Sequence, residues 1–331
     1  MAINFSESDV PGERQRQHFK RFVAVAEDSL RIDQYLSAVF PQFSRGFWKK
    51  ALSTGSIHVD GRRISQCSRS VRTGQRVEVF LDGLPLEKHL IDAQQVLFED
   101  ENLLVLNKPA GLDTQPTPSR FQGTLYQGIL DYLGRGKGAG RRPEIGMVQR
   151  LDRDTSGVIA FSIHPRAHRS LSEQFRQHEI RKTYLALVCG MLENEQGEFK
   201  SNLAKIRAIN RVRSVARGGK PALTRYRLVR AADGVSLVEV ELVTGRMHQI
   251  RAHFSEAGHP LCGDIRYDGV GRLHGLDIPG QLLHSWKLSL AHPVTGQAID
   301  LKASLPRDWL PLLEACGFPA AMLRNIVPES D

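Results

Sequence analysis

Segments that read as strands outnumber helical ones over the last two thirds of the chain, and the two kinds do not alternate. Residues 96–98, 103–106, 158–161, 184–188, 226–228, 235–243 and 286–290 have strand character, while helical spacing is confined there to 126–133 and 168–178. A parallel, doubly wound sheet requires regular alternation of strand and helix, so this order argues against one and leaves a mixed α and β fold.

The length of 331 residues favours two domains. Residues 1–18 are polar and read as a disordered tail. A small domain is expected over 19–82. It starts with a short strand at 22–25, followed by a helix carried by the spacing of Leu30, Ile32, Tyr35, Leu36 and Val39, capped by Asp28 or Ser29 and ended by Pro41. Ser44 caps a second helix over 45–52, Gly55 turns the chain into Ile57-His58-Val59, and Asp60-Gly61 reads as a hairpin turn. Val77, Val79 and Leu81 alternate as in a half-buried strand. Residues 83–94 read as a linker, and a larger domain over 95–325 opens with a hairpin that enters Asn107-Lys108-Pro109-Ala110-Gly111.

No apolar run approaches the roughly 18 residues of a membrane span, and the N-terminus has neither a secretory nor a transit pattern. Cys67, Cys189, Cys262 and Cys316 are scattered singly, which fits neither a zinc site nor a disulfide framework and suits a reducing cytoplasm. The net charge of +9 points to a polyanionic partner, and its distribution sharpens the point. Arg31, Arg45, Lys49, Lys50, Arg62, Arg63, Arg69, Arg72 and Arg76 crowd into residues 31–76. The glycine-rich run 134–142 lacks the Lys-Ser or Lys-Thr and the preceding strand of a phosphate-binding loop, and reads as a flexible loop.

Three segments hold candidate chemistry. Gln149-Arg150-Leu151-Asp152-Arg153-Asp154-Thr155-Ser156-Gly157 precedes an apolar strand; Asp154 and Ser156 suit local backbone hydrogen bonds. Asp152, between Arg150 and Arg153, is favoured as an anion and so is available for nucleophilic attack or proton abstraction. The segment 242–253 brings Arg246, His248, Gln249, Arg251 and His253 together at the end of a long strand. Its histidines lack the carboxylate or cysteine companions of a metal site and read as hydrogen-bonding groups, whereas its arginines suit phosphate or a bidentate carboxylate. The segment 181–188 is a strand able to carry Tyr184 into a pocket.

The order of these motifs resembles the RluA-type pseudouridine synthases from about Val96 to beyond Pro306. Asn107-Lys108-Pro109-Ala110-Gly111 comes first, then Arg150-Leu151-Asp152-x-x-Thr155-Ser156-Gly157, Lys182-x-Tyr184, Thr244-Gly245-Arg246-x-His248-Gln249-Ile250-Arg251-x-His253, Gly258-His259-Pro260-Leu261-x-Gly263-Asp264 and Leu283-His284. Where that family usually has His, this chain has Gln149, which excludes any role for an imidazole proton there. Upstream, Arg31-Ile32-Asp33-x-x-Leu36, Ser44-Arg45, Gly55-x-Ile57-x-Val59-x-Gly61 and Gly74-x-x-Val77 resemble the RNA-binding domain named after ribosomal protein S4.

The resemblance implies a small α/β RNA-binding domain followed by a catalytic domain with a mixed, mostly antiparallel sheet flanked by helices. It implies an isomerase that extrudes a uridine and turns its base, with Asp152 as the initiating carboxylate, Arg246 as its salt-bridge partner, and Tyr184 against the uracil. Arg150 would fill the vacated stack, with Lys182, Arg251 and Lys108 as further substrate contacts. Arg31, Arg45, Lys49, Lys50, Arg62 and Arg63 would bind RNA backbone through the N-terminal domain. No metal or other cofactor is expected, and a monomer is the default. The N-terminal domain favours ribosomal over transfer RNA as substrate. A catalytically silent RNA-binding protein would explain the basic segment but not the retention of Asp152, Tyr184 and Arg246 together. An Asp/His hydrolase would leave the motif order unexplained.

Overall fold

The structure, a computed structural model, describes residues 17–134, 143–206, 209 and 211–319. Most of the expected tail and of the glycine-rich run, and the end of the chain past 319, lie outside the described residues. The chain forms two compact units, one of Met1–Leu90 with Gln115–Ile129 and one of Ile91–Thr114 with Leu130–Asp331. Among the described residues no helix is long and apolar enough to cross a membrane.

The first unit contains β1 (Gln17–Phe22), α1 (Ile32–Val39), α2 (Arg45–Thr54), β2 (Ile57–Val59), β3 (Arg62–Ile64) and β4 (Arg76–Leu81), the strands ordered β1-β4-β2-β3 in one antiparallel sheet. Ser44 caps α2 by accepting the Phe47 N–H at 3.1 Å, and Gly55 ends it in the left-handed conformation that glycine adopts without cost. Asp60 and Gly61 both take positive φ, the requirement of a two-residue hairpin turn. Ile32, Tyr35, Leu36, Trp48, Leu52, Ile57, Val77 and Val79 form the core.

Three local expectations fail here. The first strand lies at 17–22, so Gln17 and His18 pair with β4 where a tail was expected. Neither Asp28 nor Ser29 caps α1. Arg31 occupies that position without a side-chain capping bond, while Asp28 accepts from the Thr73 backbone and hydroxyl. Segment 115–129 returns to this unit, although the sequence assigned it to the larger domain. Arg120, 6% exposed, donates twice to Asp82 at 2.8 and 2.6 Å, and Ser56 donates to the Ser119 carbonyl at 2.6 Å.

The second unit is built on β5 (Val96–Glu99), β6 (Leu103–Lys108), β7 (Gly146–Met147), β8 (Ser156–Ser162), β9 (Arg181–Cys189), β10 (Gln196–Ile206), β11 (Arg211–Ser214), β12 (Lys220–Ala232) and β13 (Val235–Leu242). A two-stranded ribbon, β14 (Arg272–Leu273) with β15 (Leu276–Asp277), and the strands β16 (Leu283–Ala291) and β17 (Ala298–Lys302) follow. The main sheet runs β11-β10-β12-β13-β9-β16-β8-β6-β5, with β7 on β8 and β17 on β16. Among the described residues only β8 and β16 pair in parallel, so the fold is α+β with a mostly antiparallel sheet. The remaining helices are α3 (Leu125–Gly134), whose first half counts with the first unit and second half with this one, and α4 (Pro165–Arg176), α5 (Gln249–Glu256) and α6 (Trp309–Ala315). Leu171 of α4 packs with Leu103, Val105, Val158 and Leu288; Leu312 and Leu313 of α6 pack with Leu187, Leu237 and Trp286. Burial of these side chains holds the strands that carry the site.

Candidate active site

Three strands meet in register at the centre of the large sheet. Gly157 of β8 lies beside Ser285 of β16, which lies beside Tyr184 of β9. A Cβ on Gly157 would stand 2.1 Å from the Ser285 carbonyl oxygen, and φ there is +105°, so this position admits glycine alone. The preceding loop, which carries Asp152, is thereby anchored hard against the sheet. Thr114 donates to the Leu151 carbonyl at 2.7 Å, Lys108 donates to the Arg153 carbonyl at 2.9 Å, and Arg153 pairs with Asp113 at 2.6 Å. Gln281 donates to the Thr155 hydroxyl at 3.2 Å.

Lys108 corrects one expectation. It is fully buried, and its ammonium donates to the carbonyls of Pro109, Leu112 and Arg153, so it supports the loop and has no N–H left over for a substrate. Burial brings its pKa down to about 7 against the opposing pull of Asp154, Asp113 and Asp152.

Asp152 is 28% exposed. Arg251 donates to its Oδ2 at 2.8 Å from Nη1, and grips Asp264 with Nε and Nη2 at 2.6 and 2.7 Å. Burial opposes ionisation of Asp152, but His248 and Arg251 outweigh it and hold the carboxyl below its usual range. Burial likewise opposes the Arg251 charge, and the bonds to Asp264 overturn it, so its pKa is raised.

The expected partner of Asp152 was Arg246, and the structure assigns that place to Arg251. Arg246 stands at the end of β13 and donates from Nε to the Pro221 carbonyl at 2.9 Å. The segment is not the end of a strand throughout: from Gln249 it is α5, and Arg251 projects from its first turn. Ile250 and Phe254, four apart and buried, were the available sign of that helix. Asp264 and Tyr267 also belong to the cluster, without having been assigned roles from sequence, and His248, expected as a hydrogen-bonding group, meets the Tyr267 hydroxyl there at 2.9 Å. Gly263-Asp264 was a visible motif, but its contact with Arg251 is tertiary.

Tyr184 is 6% exposed, and burial, aided by the Asp152 charge and opposed by the Ser285 hydroxyl, pushes its phenol up to about 12. It keeps its proton at neutral pH. Lys182, two residues earlier on the same face of β9, is 7% exposed, and burial followed by repulsion from Arg246 lowers its pKa. Arg150 is exposed. Gln149 is half-buried, with an amide nitrogen that finds no partner. His253 bonds Thr224 and Ser201 through its two ring nitrogens, the structural use expected of it. Ser156 and His284 stand 2.8 Å apart and resemble a nucleophile and its base, but they are 2% and 0% exposed and sealed beneath the loop.

In the first unit, Arg31 and Arg45 flank Asp33, which is fully buried, at 3.1 and 2.8 Å, and remain 43% and 50% exposed. Lys49, Lys50 and Arg62 are exposed. Arg63 departs from expectation: its guanidinium donates to the carbonyls of Gly55 at 2.8 Å and Thr117 at 2.5 Å, which makes it a structural clamp.

An accessible, ionised carboxylate, anchored through a buried arginine and near a protonated phenol, is the site of an enzyme that needs a persistent anion. A family model described as RNA pseudouridylate synthase matches residues 102–256. The chain is 34% identical to ribosomal large subunit pseudouridine synthase D of Nitrosomonas europaea, over 86% of this chain and 84% of that one. It is 33% identical to the protein of the same name from Zymomonas mobilis, over 84% and 91%. A likeness in fold to the solved human RNA pseudouridylate synthase domain containing 4 has a TM-score of 0.57 at 24% identity, over 68% of this chain and 93% of that one. The chain belongs to the RNA pseudouridine synthase family, enzymes that isomerise uridine to pseudouridine in RNA.

Proposed function

We propose that this protein is an RluA-type synthase that converts specific uridines of large-subunit ribosomal RNA to pseudouridine, with Asp152 as the carboxylate that starts the reaction. The observation that carries the assignment is the state of Asp152, ionised against Arg251 yet 28% exposed. An anion so held needs no base to activate it.

The target uridine must leave its stack to reach a pocket, at a cost of a few kcal/mol. Arg150, exposed two residues from Asp152, is suited to occupy the space it vacates. Asp152 then initiates cleavage of the bond between uracil N1 and ribose; the base turns and rejoins through carbon five, which gives up its proton while N1 ends with one. The reaction adds and removes no atoms from the nucleotide, so it needs no redox or group-transfer cofactor. Tyr184 supplies a ring for the uracil and a hydroxyl that stays protonated. Lys182 and Arg246 are suited to neighbouring phosphates.

The first unit is proposed to be an S4-like RNA-binding domain in which Asp33 aligns Arg31 and Arg45 beside Lys49, Lys50 and Arg62. A ribosomal substrate is supported by that unit and by the relatives named for the large subunit. The test is to map pseudouridine, by carbodiimide-dependent reverse-transcription stops, in RNA from a strain lacking the protein and complemented with wild type or Asp152→Asn. Sites lost in the deletion should return with wild type and stay absent with Asp152→Asn. Restoration by the variant would overturn the role of Asp152, and loss confined to transfer RNA would overturn the ribosomal target.

A further inference from the structure

His248 joins β13 to α5 at φ +52° and ψ +23°, the left-handed region that costs a non-glycine residue of order 1 kcal/mol. The conformation aims its ring at the active carboxylate. Nε2 lies 3.7 Å from Asp152 Oδ2, and Nδ1 lies 2.9 Å from the Tyr267 hydroxyl. Tyr267 is 2% exposed, and its oxygen already accepts the Val212 N–H at 2.7 Å. The phenol proton still needs an acceptor, and among the described residues His248 Nδ1 is the one at hydrogen-bond distance from the hydroxyl. The single proton of a neutral imidazole then sits on Nε2, the nitrogen that faces Asp152.

Among the described residues, Arg251 Nη1 and His248 Nε2 both meet the Asp152 carboxylate at Oδ2. Oδ1 is left for the substrate. We propose, on the reading of Asp152 as the initiating carboxylate, that His248 is a positioning residue. Set by Tyr267 in the tautomer protonated at Nε2, it and Arg251 hold Oδ2 so that Oδ1 is the oxygen that reacts. At 3.7 Å the imidazole acts through its N–H dipole rather than through a formed hydrogen bond. It keeps its proton throughout, so no proton transfer is assigned to it.

The surroundings favour the neutral ring. Burial lowers the His248 pKa; Asp152 and Asp264 pull it up, and Arg251 and Arg266 push it down, with a net lowering. Acidification that protonates the ring would turn the dipole into a full charge on Oδ2 and draw electron density away from the reacting carboxylate. The rate should therefore fall on the acid side with the titration of His248.

The test has two independent arms. Nitrogen-15 spectra of the RNA-free protein report which ring nitrogen of His248 carries the proton. Wild type should show the Nε2–H form, and Tyr267→Phe should show a mixture of the two tautomers. Single-turnover rates against pH on RNA from the deletion strain form the second arm. Tyr267→Phe should lower the rate by about tenfold, the upper range for one hydrogen bond, with RNA affinity unchanged. His248→Gln, which retains an N–H donor, should be faster than His248→Ala, and both should lose the acid limb. An Nδ1–H tautomer in wild type, or an acid limb unchanged in His248→Gln, would overturn the proposal. A wild-type enzyme that forms no pseudouridine would instead overturn the functional reading, while the tautomer measurement would still stand.

Discussion

Arg251 serves two carboxylates from one guanidinium, which also lies over the Tyr267 ring at 4.9 Å from its centroid. It is 7% exposed and Asp264 is 1% exposed, so the three bonds to Asp264 and Asp152 exchange with little water. Replacing one member of a buried ion pair strands the other, at about 3–5 kcal/mol. Arg251→Met is expected to lose that much stability in urea denaturation and to abolish turnover. Arg246→Met, which loses a surface bond to the Pro221 carbonyl, is expected to stay within about 0.5 kcal/mol of wild type. Equal losses in the two variants would contradict the placement of Arg251 at the centre. From sequence both arginines were candidates, because they stand five residues apart in one motif. Their separation in space depends on where the strand stops and α5 begins. The salt bridge was placed on Arg246 by the family resemblance, and no local pattern marked Arg251 as the residue that α5 turns toward Asp152.

At the scale of elements, the loop that bears Asp152 owes its position to what lies under it. Ser156 donates to His284 Nδ1, and His284 Nε2 donates to the Ala303 carbonyl at 3.3 Å, which ties β8 to β16. Burial depresses the His284 pKa from 6.5 to about 4. Between those values the unfolded chain takes up a proton that the folded one refuses. The stabilisation is therefore complete above pH 6.5 and is lost as pH falls toward 4, by about 3 kcal/mol for a shift of this size. Urea denaturation at several pH values between 4 and 7 should show wild type losing stability with acid more steeply than His284→Asn, although the variant is weaker at neutral pH. Parallel curves would mean that His284 is not the buried neutral group described. The strands of this sheet were legible because their apolar runs are bounded by turn residues, as in β6, β8, β9 and β13. The return of segment 115–129 to the first unit was not, because it depends on Arg120 meeting Asp82 and on Ser56 meeting Ser119, pairs far apart in sequence that no local pattern announces. Asp152 was legible from its motif; the tautomer of His248 was not, since it rests on Tyr267 and Val212 in distant elements.

For the whole molecule, the proposed division of labour between the units rests on charge. Residues 31–76 hold nine arginines and lysines against Asp33 and Asp60. Asp33 is taken up by Arg31 and Arg45, and Asp60 by Gln75 and the Arg76 backbone, so neither acid offsets the exposed cations at Lys49, Lys50 and Arg62. A surface of this kind binds phosphates with little regard for sequence, and its contribution appears as salt dependence. Lys49→Gln, Lys50→Gln and Arg62→Gln combined should weaken binding to large-subunit RNA and reduce the slope of log affinity against log salt. The reduction should be about 0.7 to 0.9 for each phosphate contact removed. Single-turnover chemistry at saturating RNA should be preserved, because Asp152, Arg251 and Tyr184 all belong to the other unit. Arg63→Gln should behave differently: its loss opens the clamp on the Gly55 and Thr117 carbonyls, so it should lower the unfolding midpoint while changing the salt slope little. Filter-binding titrations between low and physiological salt distinguish the two patterns. An unchanged slope in the triple variant would move the RNA anchor to the catalytic unit, where Arg150, Lys182 and Arg246 would have to carry it.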